Sequence, residues 1–108
     1  MRTHAVFLRL AGRCCVVVGG DEPAAAKARA CVEAGGDVTV IAPDLVDTLR
    51  ALTDGGRVRH RARAYRPGDL AGAFLVYAST HDEALIGRLA EEAARERALL
   101  NVVDVPKA

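Results

Sequence analysis

Tryptophan is absent from this 108-residue chain, and only two phenylalanines, two tyrosines and one methionine are present. With 4% aromatics there is little surface on which bases or sugars could stack. Net charge is nearly absent as well: fifteen Lys and Arg face fourteen Asp and Glu, a balance of +1. That excludes a protein held to nucleic acid or a membrane surface by bulk charge. No apolar run approaches the ~20 residues of a membrane span. The four-residue apolar stretch after Met1-Arg2-Thr3-His4 is too short for a secretory leader. Cys14, Cys15 and Cys31 are odd in number and lack C-x-x-C spacing, which reads as reduced thiols in a cytoplasmic protein. What the chain does have is aliphatic. Hydrophobic residues make up 51%, twenty-one residues are alanine, and the length suits one domain spanning 1–108. The expected core is Val and Leu packed against Ala-rich helices.

Short β-branched runs alternate with Ala/Arg/Glu segments, the pattern of a parallel α/β sheet. Cys14-Cys15-Val16-Val17-Val18 reads as a buried central strand ended by Gly19-Gly20. Pro23 to Ala34 reads as a helix, with Pro at its start and Gly35-Gly36 as its stop. Val38 to Ile41 is the next strand, closed by Ala42-Pro43, and Leu45 to Leu52 a short helix before the turn Asp54-Gly55-Gly56. Val58 to Ala64 alternates, with Val58, His60, Ala62 and Ala64 on one face and Arg59, Arg61 and Arg63 on the other. Ala73 to Tyr77 is a fourth strand, Glu83 to Ala98 a long helix, and Leu99 to Val103 a last strand. Together these predict a Rossmann-type open parallel sheet with helices on both faces. Ligands of such sheets sit at the carboxyl ends of the strands. The chain stops just past a strand, so the expectation is a fragment, or a site that a partner completes.

A strand, a tight Gly turn and an Ala-rich helix make a place for a pyrophosphate, because free N–H groups and the helix dipole face it. Against the fingerprint G-x-G-x-x-G/A the chain offers Gly19-Gly20-Asp21-Glu22-Pro23-Ala24, with Asp21 in place of the middle glycine. Asp21 reads first as an N-cap that occupies the anion position from within. Pro23 removes a further donor. A carboxylate ~5 Å from a phosphate charge at an effective dielectric of about 20 costs roughly 3 kcal/mol, or about two orders of magnitude in affinity. Strand two is followed by Ala42-Pro43, with the nearest ribose-binding acid at Asp44.

Phe7-Leu8-Arg9-Leu10, Gly12-Arg13, Val17-Val18-Gly19-Gly20, Ala24, Lys27-Ala28-Arg29 and Glu33-Ala34-Gly35 are characteristic in combination. So are Val38-Thr39-Val40, Ala42-Pro43, Gly72-Ala73-Phe74-Leu75-Val76 and Asn101-Val102-Val103-Asp104. With them the chain resembles the precorrin-2 dehydrogenase/sirohydrochlorin ferrochelatase family, the N-terminal part of siroheme synthase, along its whole length. The family's dimerisation and helical segments are not matched. The resemblance implies NAD-dependent oxidation of precorrin-2, a tetrapyrrole, to sirohydrochlorin. In bifunctional members it also implies insertion of ferrous iron, and it implies a homodimer. Carried over by position, the cofactor contacts are Gly19, Gly20, Glu22, Pro23, Pro43, Asp44 and Thr80, and the catalytic residue is Asp104. Asp104 would be the base that takes the proton released as hydride leaves, or a pyrrole proton during chelation.

The chain departs from the family's pattern at functional places. Asp21 and Pro23 replace a glycine and a valine of G-G-G-x-V-A. After Ala78-Ser79-Thr80, His81 replaces the first aspartate of T-D-D-x-x-x-N and Ile86 the asparagine. The alternative to the enzyme is therefore a degenerate, non-catalytic Rossmann module that binds a tetrapyrrole, a metal or a protein partner. His81 beside Asp82 has no metal-ligand spacing and reads as a loop histidine; no metal site is assigned. His60 reads as partly buried, the arginines as a solvated strand face, and the cysteines as core packing.

Overall fold

The computed structural model of the chain describes residues 3–103. Five strands, β1 (Cys14–Val18), β2 (Asp37–Ile41), β3 (Val58–Arg61), β4 (Leu75–Ala78) and β5 (Leu99–Val102), form one sheet in the order β3-β2-β1-β4-β5. Every pairing is parallel. Three helices connect them: α1 (Glu22–Glu33) after β1, α2 (Asp47–Asp54) after β2, and α3 (Glu83–Glu96) after β4. The chain winds outward from β1 to β3, returns to the other side of β1 with β4, and winds outward again. Crossovers of one hand on either side of that reversal place helices on opposite faces. This is the predicted Rossmann-type α/β sheet.

Alternation along β1 divides the core in two. Cys15 and Val17 join Val38, Val40, Ala24, Ala28 and Leu49 beneath α1 and α2. Val16 and Val18 join Val76, Ala78, Leu89 and Ala93 beneath α3. Alanine at positions 24, 25 and 28 lets α1 lie close to the sheet, and all three are buried. Both faces of β1 are thus covered, which is why its sequence is continuously apolar rather than alternating.

Most element boundaries differ from the sequence reading by one to three residues, β4 starting at Leu75 rather than Ala73 and α3 ending at Glu96 rather than Ala98. Two of the differences have identifiable reasons. β3 stops at Arg61, not Ala64, because the Ala42 carbonyl that would accept the next link is taken by His60 Nε2 at 2.8 Å, and the Arg63 N–H turns back to the Arg61 carbonyl at 2.9 Å. The last link is Ala42 N–H to the Arg61 carbonyl at 3.2 Å. Beyond it Ala62 and Ala64 are exposed instead of sharing a buried face with Val58. α2 begins at Asp47 rather than Leu45, because Leu45 is buried before the helix starts and Val46 N–H is held by the Gly20 carbonyl at 2.8 Å. Among the described residues no helix is long and apolar enough to cross a membrane.

Candidate functional site

The carboxyl ends of β1, β2 and β4 open into a cleft of about 290 Å³. Val18, Gly19 and Gly20 form one side, and Ile41, Ala42, Pro43 and Asp44 the next. Ser79, Thr80 and Leu85 come from the end of β4 and the start of α3, while Ala64 and Tyr65 come from the connection after β3. The lining is mostly apolar. It includes Asp44 but, among the described residues, no Lys or Arg.

Glycine is required where the β1 turn meets its neighbours. A Cβ on Gly20 would stand 1.9 Å from the Asp44 carbonyl oxygen. Gly19 has φ +133°, and a Cβ there would come within 3.0 Å of the Ser79 carbonyl oxygen. Close approach at this turn is therefore made by the protein's own backbone on two sides.

Asp21 follows, in extended conformation, as the N-cap of α1. Its Oδ1 accepts the Ala24 N–H at 3.0 Å, the capping bond expected for this residue type. The Ser79 hydroxyl, 58 residues further along the chain, donates to the same carboxylate at 2.8 Å to Oδ1 and 3.0 Å to Oδ2. The helix start is thereby tied to the end of β4.

Of the residues assigned to cofactor contact, Gly19, Gly20, Pro43, Asp44 and Thr80 are brought together on the cleft. Glu22 and Pro23 do not line it. Glu22 accepts a hydrogen bond from the Thr48 hydroxyl of α2 and borders a separate hollow with Ala25 and Arg29. The Thr80 hydroxyl accepts the Asp82 N–H at 3.0 Å, and Asp82 in turn caps α3 through Leu85 N–H at 3.2 Å. His81 is exposed, and no group of three metal-ligating side chains gathers among the described residues. Asp104, the assigned base, lies outside the described residues.

Sequence reasoning missed how the connection between β3 and β4 is held, and that connection carries Tyr65 to the cleft. Arg63 grips Asp69 with two nitrogens, at 2.7 Å to each carboxylate oxygen, and Arg61 adds a contact at 3.1 Å. The Arg66 N–H donates to the same carboxylate at 2.8 Å. The side chain of Asp69 is only 6% exposed, and the hydrogen bonds from Arg63 hold its carboxyl down at about 2. The arginines therefore do not all form a solvated strand face: Arg59 is exposed and pairs with Asp37, while Arg63 is committed to a buried acid. Glu92 of α3, 4% exposed, accepts the Tyr65 hydroxyl and the Gly68 and Leu70 N–H groups, the latter two at 3.0 and 3.1 Å. Burial, then the hydrogen bond to Glu92, pushes the Tyr65 phenol up to about 12. The available signal was helical spacing: Glu92 shares an apolar stripe with Leu85, Leu89 and Ala93, where a lone acid needs buried donors.

His60 is half-buried, with Nε2 2.8 Å from the Ala42 carbonyl oxygen, so it braces the β2 end of the cleft structurally. Cys15 and Cys31 are buried together in the core, and burial pushes the Cys15 thiol up to about 12. Neither faces the cleft.

An open parallel sheet with a Gly turn and a cleft at its reversal point defines a Rossmann-type nucleotide-binding domain. Residues 6–108 match the model of the family described as "Putative NAD(P)-binding", and the chain belongs to that family. It is 40% identical over 107 residues to a siroheme synthase of Methylobacillus flagellatus, covering 99% of this chain and 23% of that protein. It is 41% identical over 105 residues to a siroheme synthase of Nitrosospira multiformis, covering 94% and 22%. The chain therefore spans less than a quarter of the length of these relatives. Among solved structures its fold matches SirC, a precorrin-2 dehydrogenase, with a TM-score of 0.81 at 24% identity, over 97% of this chain and 51% of that one.

NAD(P) is the cofactor class of the family, and the cleft fits it in part. The Gly19-Gly20 turn, Pro43-Asp44 and Thr80 offer an apolar slot with a carboxylate suited to ribose hydroxyls. The diphosphate position fits less well. Pro23 has no N–H, Ala24 N–H is taken by Asp21, and the cleft lining has no cation among the described residues.

Proposed function

We propose that this chain is the NAD-binding domain of an enzyme that oxidises precorrin-2 to sirohydrochlorin in siroheme formation. The observation that carries the reading is the likeness to siroheme synthases over nearly the whole chain. The cleft at the strand ends is the region where that chemistry would take place. Bound NAD⁺ would accept the hydride that leaves the tetrapyrrole. Gly19, Gly20, Pro43, Asp44 and Thr80 would hold the adenosine part, with Asp44 accepting from the ribose. Tyr65, its hydroxyl turned to Glu92, would present an apolar wall on the far side. Asp104 would take the proton that accompanies hydride loss. Ferrous iron, where insertion occurs, is a substrate of the same site. A second reading, a module that has kept the scaffold and lost dinucleotide turnover, is favoured by the Asp21 cap.

The test is NADH formation from precorrin-2 and NAD⁺ by the full protein and by Asp104→Ala. Turnover in the first and its loss in the second, with NAD⁺ binding retained, is expected. No turnover by the full protein, folded and supplied with both substrates, would leave the second reading.

A further inference from the structure

We infer that Asp21 is an internal anion standing where a dinucleotide's diphosphate would bind, so that this site recognises the nucleoside part and draws little affinity from phosphate. The inference rests on the dinucleotide reading above and deepens it.

The start of α1 follows directly on Gly19 and Gly20 of the cleft, and its free N–H groups would be an attraction for phosphate where the lining holds no Lys or Arg among the described residues. Of the first three backbone nitrogens of α1, Pro23 carries no hydrogen and Ala24 is bonded to Asp21 Oδ1 at 3.0 Å. Of those three, only the Glu22 N–H is left for an outside anion. Both oxygens of the capping carboxylate are also engaged by the Ser79 hydroxyl, at 2.8 and 3.0 Å, from a residue that lines the cleft. A solvated cap would swing aside at small cost, whereas this one is held from two sides. Asp44 adds a second carboxylate at the cleft. A ligand phosphate would have to displace Asp21 from two partners or sit beside its charge. At ~5 Å and an effective dielectric of about 20, that proximity lowers affinity by about a hundredfold.

The ratio of affinities for ADP and adenosine isolates the phosphate contribution from everything else in the cleft. Calorimetric titrations with adenosine, ADP and NAD⁺ would compare the native protein, Asp21→Asn and Asp21→Gly. Thermal melting would establish that each is folded. Asparagine keeps an oxygen for Ala24 N–H and Ser79 while removing the charge. In the native protein ADP should bind within about threefold of adenosine. In Asp21→Gly and in Asp21→Asn, which both lose the charge, it should bind at least about thirtyfold tighter than adenosine. NAD⁺ should follow ADP. An ADP preference in the native protein as large as in Asp21→Asn overturns the inference and leaves the dinucleotide reading standing. Failure of all three ligands to bind any folded variant overturns both. If Asp21→Gly melts too low to titrate, the Asp21→Asn comparison decides alone.

Discussion

Replacing Asp69 by asparagine tests whether the β3–β4 connection is held by charge rather than by shape. The carboxylate is nearly isosteric with the amide, so the backbone can keep its course while the Arg63 pair loses its ionic half. The native carboxyl is held at about 2 against an ordinary 3.8 by Arg63, the Arg66 N–H and Arg61. A depression of that size corresponds to about 2 kcal/mol of native-state stability, applied here to a side chain that is almost fully buried. The folded pKa lies below the unfolded one, so this stability is present above the unfolded value and is lost as pH falls through the folded one. About half should be gone near pH 3 and nearly all below about pH 2. Urea unfolding of native protein and Asp69→Asn across that range is the assay. Near neutral pH the variant should be weaker by about 2 kcal/mol, or roughly 10 °C in melting temperature. The gap should narrow steadily as the solution is acidified. A gap that is the same near pH 3 as near pH 7 would refute the electrostatic account and leave only a packing role for Asp69.

Two further substitutions address the rest of the cleft. Glu92→Ala strips the acceptor from the Tyr65 hydroxyl and the Gly68 and Leu70 N–H groups, and should cost about 3 kcal/mol or more in urea unfolding. Glu92→Gln, which keeps one acceptor oxygen, should cost about half as much, and limited proteolysis should find new cleavage between residues 62 and 73 in both. Gly20→Ala drives a Cβ to 1.9 Å from the Asp44 carbonyl oxygen and must push the β2 loop away. It should lower stability by at least about 2 kcal/mol and abolish nucleotide titration. Gly12→Ala has only the positive φ to contend with and open space around it, so it should cost about 1 kcal/mol and leave binding unchanged.

The sheet was legible because its determinants are local or periodic. β1 is apolar on both faces, α1 is alanine between a proline and a glycine pair, and these patterns predict a buried parallel strand and a close-packed helix without knowledge of anything distant. The error at β3 is instructive for the same reason. Its alternating Arg and Ala continue past Arg61, but a strand ends when its neighbour stops offering bonds, and here the Ala42 carbonyl just past β2 is already taken by His60. Likewise the start of α2 is delayed by the Gly20 carbonyl, which holds Val46. The connection from 62 to 74 is read from sequence only at its ends, 62–64 as the end of one strand and 73–74 as the start of the next, with no structure assigned between them. Its order comes from α3 and from Asp69, neither of which has a local signature in that segment.

The candidate site divides along the same line. The Gly turn, Pro43-Asp44 and Thr80 could be assigned because motif position and strand ends point to them, and they do meet on one cleft. Glu22 and Pro23 were assigned by the same positional logic, yet the first turn of α1 faces them away, and Thr48 of α2 takes the Glu22 carboxylate. Asp21 could be read as a cap from Ala24 alone. That Ser79 also holds it depends on β4 lying beside β1, a tertiary fact no spacing encodes. The same residue is therefore an ordinary helix cap in sequence and, in three dimensions, a carboxylate held between the start of α1 and the end of β4. A substitution from glycine to aspartate at a family turn would in isolation suggest mere decay. Its two-sided hold makes it a defined element of the site, and the ADP-to-adenosine ratio is the quantity it should control.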